Sequence, residues 1–186
     1  MHNNWLSTLT LRPQQHDAIL EAQVNAAVLL PVWHAEGQWQ LLLTRRALHL
    51  RHHPGQISFP GGRLEAGESA IIAAKREAFE EVGIQAQLIT DTIALPALST
   101  STGFVVKPWL AVLAQAPELK LQTSEVAAAF TIPLHFALNP ANRISETWQL
   151  RGHAQLLHFI PWQNKLIWGA SAAILTSLSQ YTSEFL

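Results

Sequence analysis

The 186-residue chain contains no cysteine. That excludes disulfides, thiolate zinc sites and thiol nucleophiles together, and it agrees with a reducing, cytoplasmic setting. Neither sign of charge is in excess: 12 Lys and Arg stand against 13 Asp and Glu, a formal net charge of −1. A balance this even offers no electrostatic hold on a nucleic acid polymer or an anionic membrane surface, while a small phosphorylated ligand stays open. Long hydrophobic runs are missing too. The longest, Ala26 to Trp33, falls far short of the ~20 residues that cross a bilayer. Met1-His2-Asn3-Asn4-Trp5 has neither the basic start nor the apolar core of a secretory signal. No internal repeat, low-complexity tract or long linker interrupts the chain. The expectation is one domain over residues 1–186, with residues 1–22 as an arm on the domain or on a partner subunit. Arg12-Pro13 breaks any long helix there.

What is present concentrates between Gly62 and Ile84. Five residues separate Gly62 from Glu68, and seven more lead to Arg76-Glu77; Glu80-Glu81 and Gly83-Ile84 follow. Ser69 suits an N-cap and Gly83 a left-handed helix end, so the stretch between them reads as one helix. Glu77, Glu80 and Glu81 stand at i, i+3 and i+4 and crowd one face of it. Ile71, Ile72, Ala78, Phe79 and Val82 gather on roughly the opposite side, the expected packing face. Lys75 falls within that side, its stem expected to pack and its ammonium to reach an edge. Three like charges disfavour an isolated helix, and a bound divalent cation reverses the sign of that interaction. Hard carboxylate oxygens on a rigid helix suit Mg²⁺ or Mn²⁺, which take further ligands from substrate phosphates. Glutamates alone would be an ordinary solvated face. Gly62, Glu68 and Arg76 in fixed register set this cluster apart.

Around that helix, Ala26 to Trp33 and Trp39 to Thr44 read as strands joined at Glu36-Gly37. Gln56 to Phe59 is short and extended, and Pro60-Gly61-Gly62 reads as a tight turn into the helix. Ile84 to Leu95 and Phe104 to Leu113 read as strands, with 95–103 as a surface loop near the site. Glu125-Val126 opens another apolar stretch, and Pro133 to Leu138 a short helix. Thr147 to Arg151 and Gln155 to Pro161 read as a hairpin around Gly152, before a helix over Ala170 to Leu178. Such an order suits a mixed sheet covered on both faces.

The Gly62–Ile84 segment resembles the box of the Nudix hydrolases at every fixed position, Ala78 being the one soft departure. Leu42 to Gly62 is similar to the motif of the coenzyme A diphosphatase branch, through Leu42, Leu43, Thr44, Arg46, Ala47, Arg51, Gly55, Phe59, Pro60, Gly61 and Gly62. Weaker likeness continues through Gly103-Phe104, Pro108, Glu125-Val126, Phe130, Pro133-Leu134 and Ile167 to Ala170. The resemblance implies the Nudix fold, an α/β/α sandwich with a mixed sheet. It also implies hydrolysis of the coenzyme A diphosphate to 4′-phosphopantetheine and adenosine 3′,5′-bisphosphate, and a homodimer.

On this reading Glu77 and Glu81 are metal ligands, Glu80 shares the site and the Gly62 carbonyl is a backbone ligand. Glu80 or Glu125 is the base toward water. Glu68 and Arg76 hold the ligand face in place. Arg45, Arg46 and Arg51, with His49, His52 and His53, form a basic patch whose arginine forks suit substrate phosphates. ADP-ribose or nucleoside triphosphate hydrolysis would use the same helix, and a nucleotide-sensing module without turnover would use the same fold. Isopentenyl diphosphate isomerase shares the fold but needs a cysteine, which this chain lacks.

Overall fold

A computed structural model describes residues 17–150 and 152–182. Its centre is the apolar run at the start of the chain. Ala26–Ala35 (β1) and Gln38–Arg46 (β2) pair antiparallel across a turn at Glu36-Gly37, where both residues have positive φ. The short strands Ile57–Ser58 (β3) and Gly61–Arg63 (β4) follow, then the helix Ala70–Val82. Of the remaining strands in this sheet, Ile89–Ala94 (β5), Leu98–Ser99 (β6) and Val105–Leu113 (β7) precede Val126–Pro133 (β8). The main path runs β3-β2-β1-β7-β5, with β4 also on β1, β6 on β7 and β8 on β2. Only β1 and β7 run parallel among the described pairings, so the sheet is mixed. With neighbours on both edges and cover on both faces, β1 can be apolar at nearly every position.

Two cores flank the sheet. The helix Ala70–Val82 lays Ala73, Ala74, Ala78 and Val82 against Ala27, Leu29, Leu42 and Ala111. It is the second described helix (α2), the first (α1) being the single turn Ala18–Glu21 capped by Asp17. On the other face, Leu134–Leu138 (α3) and Ala170–Thr182 (α4) pack on Leu30, Leu41, Leu43 and Leu110. A second sheet of Ile144–Leu150 (β9), His153–Trp162 (β10) and Lys165–Trp168 (β11) adds Ile160 and Ile167 to that core. The result is the α/β sandwich with a mixed sheet that the strand and helix order suggested.

Several local expectations need correction. Pro60-Gly61-Gly62 is not a tight turn into the helix: Gly61 to Arg63 pair with Val28 to Ala26, and the helix begins only at Ala70. The strand expected from Ile84 starts at Ile89, after a 3₁₀ turn at Ala86–Leu88. Loop 95–103 contains β6, which pairs with Val105 and Val106. Ile72 and Phe79 are 58 % and 51 % exposed, not packed. The helix lies so close to β1 and β4 that alanines, not large side chains, fill the contact. Most of the expected N-terminal arm, like Arg12-Pro13, lies outside the described residues.

Candidate active site

The glutamate helix starts at Ser69, which has extended backbone at the N-cap position but makes no side-chain cap bond. It ends at Gly83 with φ 78°, a left-handed conformation that costs glycine little. Beyond the end, the amides of Lys120 and Gln122 donate to the carbonyls of Val82 and Glu81 (3.0 and 2.9 Å). These contacts fix the C-terminal turn that carries the glutamates.

The three carboxylates are graded from buried to open. Glu81 is 4 % exposed, while the Glu77 and Glu80 side chains are 16 % and 54 % exposed. β4 runs directly over them. Gly61 N–H donates to Glu81 Oε2 at 3.3 Å, and a Cβ on Gly62 would fall on the Glu77 carboxylate. The second glycine is required by that close approach.

Arg76 organises the outer side. Its Nε donates to Glu68 Oε1 (2.9 Å) and its Nη2 to Glu68 Oε2 (3.1 Å). Nη1 reaches Glu77 Oε1 (2.9 Å) and Glu80 Oε2 (3.0 Å), and Nη2 also meets the Arg63 carbonyl (3.1 Å). Glu68 takes a further bond from the Glu65 amide, 2.9 Å. The Arg76 bonds, then the Glu65 amide, hold the Glu68 carboxyl below its usual range. The Glu68 bond in turn raises the Arg76 pKa.

Burial pushes the Glu77 carboxyl up, against the pull of Arg76, and Glu80 and Glu125 add to the rise. Burial and then Glu77 drive Glu81 up to about 8, opposed by the Gly61 amide and Arg46 and reinforced by Glu125. A buried carboxyl with one long hydrogen bond, beside two more carboxylates, is a poor place for uncompensated negative charge.

Glu125 and Arg46 therefore belong to this cluster electrostatically, although they come from other strands. Arg46 ends β2 and Glu125 immediately precedes β8; Arg46 pairs with Val126, and the Ala47 amide donates to the Glu125 carbonyl at 2.8 Å. Arg46 is half-buried, and its Nε has no hydrogen-bond partner. Arg45 and Arg51 are exposed, Arg45 beside Gly55 and Arg51 in the connection between β2 and β3. Of the three arginines, Arg46 is the one that acts on the buried Glu81. Lys75 is partly buried on the helix flank. Sequence reasoning gave no role to Arg63, whose carbonyl accepts from Arg76 and whose guanidinium stacks on the Phe104 ring (4.8 Å). Arg63 could have been singled out by its place directly after Gly62.

No three carboxylate or imidazole groups converge tightly enough to hold a metal ion among the described residues. Arg76 instead spans Glu77 and Glu80. The donor set nonetheless fits a hard divalent cation. The Gly62 backbone approaches Glu77 where a Cβ could not, Glu81 is buried with a single long bond, and Glu125 adds a further carboxylate nearby.

The family model for the NUDIX domain matches residues 23–148. A protein of Enterobacter sp. (strain 638), described as uncharacterized Nudix hydrolase NudL, is 38 % identical over 172 residues, covering 91 % of this chain and 88 % of its own. The protein of that description from Salmonella newport (strain SL254) is 37 % identical over 180 residues, covering 95 % and 92 %. Among solved structures, the NUDIX domain of Shewanella oneidensis NrtR complexed with ADP ribose superposes with TM-score 0.51 at 18 % identity, covering 74 % of this chain and 86 % of that one. A Nudix hydrolase from M. smegmatis, RenU, gives 0.51 at 23 %, covering 60 % and 71 %. These two likenesses speak to the fold.

Proposed function

The chain belongs to the Nudix hydrolase family, and from that premise we propose that it hydrolyses the diphosphate of coenzyme A or its derivatives. One observation carries the substrate assignment. The segment Leu42 to Gly62, which is similar to the coenzyme A diphosphatase motif, meets two of the site's glutamates, one near each end. Near one end Arg46 pairs with Val126 and the Ala47 amide donates to the Glu125 backbone carbonyl, and at the other Gly62 lies against the Glu77 carboxylate. A motif that meets the Glu77 carboxylate at one end and the Glu125 backbone near the other supports a role for it in substrate binding.

Glu77 and Glu81 would hold Mg²⁺ or Mn²⁺, with Glu80 sharing the site and the Gly62 carbonyl as backbone ligand. When bound, the cation supplies charge neutralisation on the diphosphate and acidity to the attacking water. Arg76 and Glu68 position Glu77 and Glu80 rather than touching the reacting atoms. Arg46 opposes the rise at the buried Glu81 and suits the diphosphate oxygens. Arg45 and Arg51, both exposed, are more distant candidates for substrate phosphate.

Glu125 is the better candidate for the base. Glu80 already accepts a bond from Arg76, which weakens it as a proton acceptor. Glu125 would take a proton as water attacks phosphorus. The bridging P–O bond then breaks, and the products are 4′-phosphopantetheine and adenosine 3′,5′-bisphosphate.

A panel of coenzyme A, ADP-ribose and nucleoside triphosphates with Mg²⁺, read by product identification, tests the reading. Coenzyme A cleaved fastest supports it. ADP-ribose or a nucleoside triphosphate cleaved fast, with coenzyme A intact, replaces it by a different substrate class. Binding without products would make the chain a nucleotide-sensing module.

A further inference from the structure

Arg63 stands one residue beyond Gly62 on β4 and is exposed. Successive strand residues face opposite ways, so its side chain leaves the sheet away from Gly62 and Glu77. Its guanidinium lies over the Phe104 ring, 4.8 Å from the centroid. Among the described residues no carboxylate forms an ion pair with it. A guanidinium seated on an aromatic face is held in place while its N–H edge stays free for an oxyanion.

Both residues rest on a fixed frame. The Phe104 amide donates to Thr100 Oγ1 (3.1 Å), and the Phe104 carbonyl accepts from the Thr100 amide (2.8 Å). Asn25 ties the two strands together. Its carbonyl accepts from the Leu64 amide at 3.1 Å, its amide donates to the Val105 carbonyl at 3.0 Å, and its Oδ1 accepts from the Val105 amide at 3.0 Å. The residues following Arg63 and Phe104 thus hang on one asparagine. The Arg63 carbonyl, through Arg76 Nη2, also joins the network that positions the glutamates. The pair is pre-organised, adjacent to the cluster but facing away from it.

We propose that Arg63, seated on Phe104, binds a substrate phosphate other than the two being parted, which in coenzyme A is the 3′-phosphate. The assignment rests on the coenzyme A reading above. Its geometry divides the work between two arginines. Arg46 ends β2 opposite Val126, next to Glu125, and is assigned to the cleaved diphosphate, whereas the Arg63 side chain leaves β4 on the side opposite Gly62 and Glu77.

Two nucleotides isolate the contact without turnover: adenosine 3′,5′-bisphosphate and adenosine 5′-monophosphate differ only in the 3′-phosphate. The full-length protein should bind the bisphosphate ~10–100-fold more tightly, the range set by a charge-assisted hydrogen bond. Arg63→Ala should erase that preference and leave the monophosphate affinity within about threefold. Arg63→Lys should restore part of it, and Phe104→Leu, which keeps bulk but removes the ring, should lower it. Thermal melting checks that each variant folds; Arg63→Ala retains the carbonyl that Arg76 uses. If the coenzyme A reading is correct, kcat/KM for coenzyme A should fall by the same factor in Arg63→Ala, with dephospho-coenzyme A nearly unchanged. Equal binding of both nucleotides by the wild type overturns the inference, as does a preference that survives Arg63→Ala. Retained nucleotide discrimination at Arg63 with no coenzyme A turnover would instead overturn the substrate reading alone.

Discussion

Replacing Glu81 with glutamine separates two consequences of burying a carboxyl in this helix. Glu81 is 4 % exposed, and burial followed by the Glu77 charge lifts it from 4.5 to about 8. In the unfolded chain it ionises near 4.5, while in the metal-free folded protein it keeps its proton until about 8. Between those values the folded state binds more protons than the unfolded state. Its contribution to stability is therefore complete below pH 4.5, falls as pH rises through the window, and is gone above about 8. At ~1.36 kcal/mol per unit, the whole span is on the order of 5 kcal/mol. Glutamine keeps the shape and carries no charge at any of these pH values. Metal-free Glu81→Gln should lose this downward slope and melt above the wild type at pH 8. Turnover should move the other way, falling ~10²–10³-fold on loss of a key electrostatic element. Thermal melting in chelator from pH 5 to 9, beside steady-state hydrolysis with Mg²⁺, reads both. Near-wild-type turnover, or the same pH slope in the two proteins, would refute the reasoning.

The paired glycines should respond differently. Gly61→Ala sets a Cβ against the backbone of Ala27 and Val28 and should cost ~1–3 kcal/mol or more in a denaturant titration. Gly62→Ala meets first the movable end of Glu77, so stability should change little while turnover drops at least ~10-fold. Arg76→Ala removes the bracket on Glu68, Glu77 and Glu80 and should raise the Mg²⁺ concentration for half-activation by ~10–100-fold, with Arg76→Lys intermediate. Glu125→Gln should lower kcat by ~10²–10⁴, read by steady-state hydrolysis. A larger loss in Glu80→Gln would transfer the base role to Glu80.

The local features were legible from sequence because they are set by neighbours along the chain. The Ser69 and Gly83 ends, the Glu77-Glu80-Glu81 spacing and the Glu36-Gly37 hairpin all depend on residues a few positions apart. Phe79 and Ile72 were misplaced because helical periodicity gives direction but not the distance to the sheet. Ala73, Ala74 and Ala78 admit β1 so closely that the larger residues are left outside. Pro60-Gly61-Gly62 has the composition of a turn, and only its pairing with distant Ala26 to Val28 makes it a strand. The three arginines of the basic patch look equivalent in sequence. The β2–β8 register distinguishes Arg46 by placing it beside Val126, next to Glu125. Arg63 and Phe104 lie far apart in the chain, with the glutamate helix, β5 and β6 between them, and meet beside Asn25, a relation that no local pattern carries.

The most direct test of the proposed activity is hydrolysis of coenzyme A by the wild-type protein with Mg²⁺ in ¹⁸O-labelled water. The proposed chemistry predicts 4′-phosphopantetheine and adenosine 3′,5′-bisphosphate as the only products, with the label in a phosphate group of one of them. Coenzyme A left intact while another diphosphate is cleaved, or label absent from both phosphate products, would contradict it.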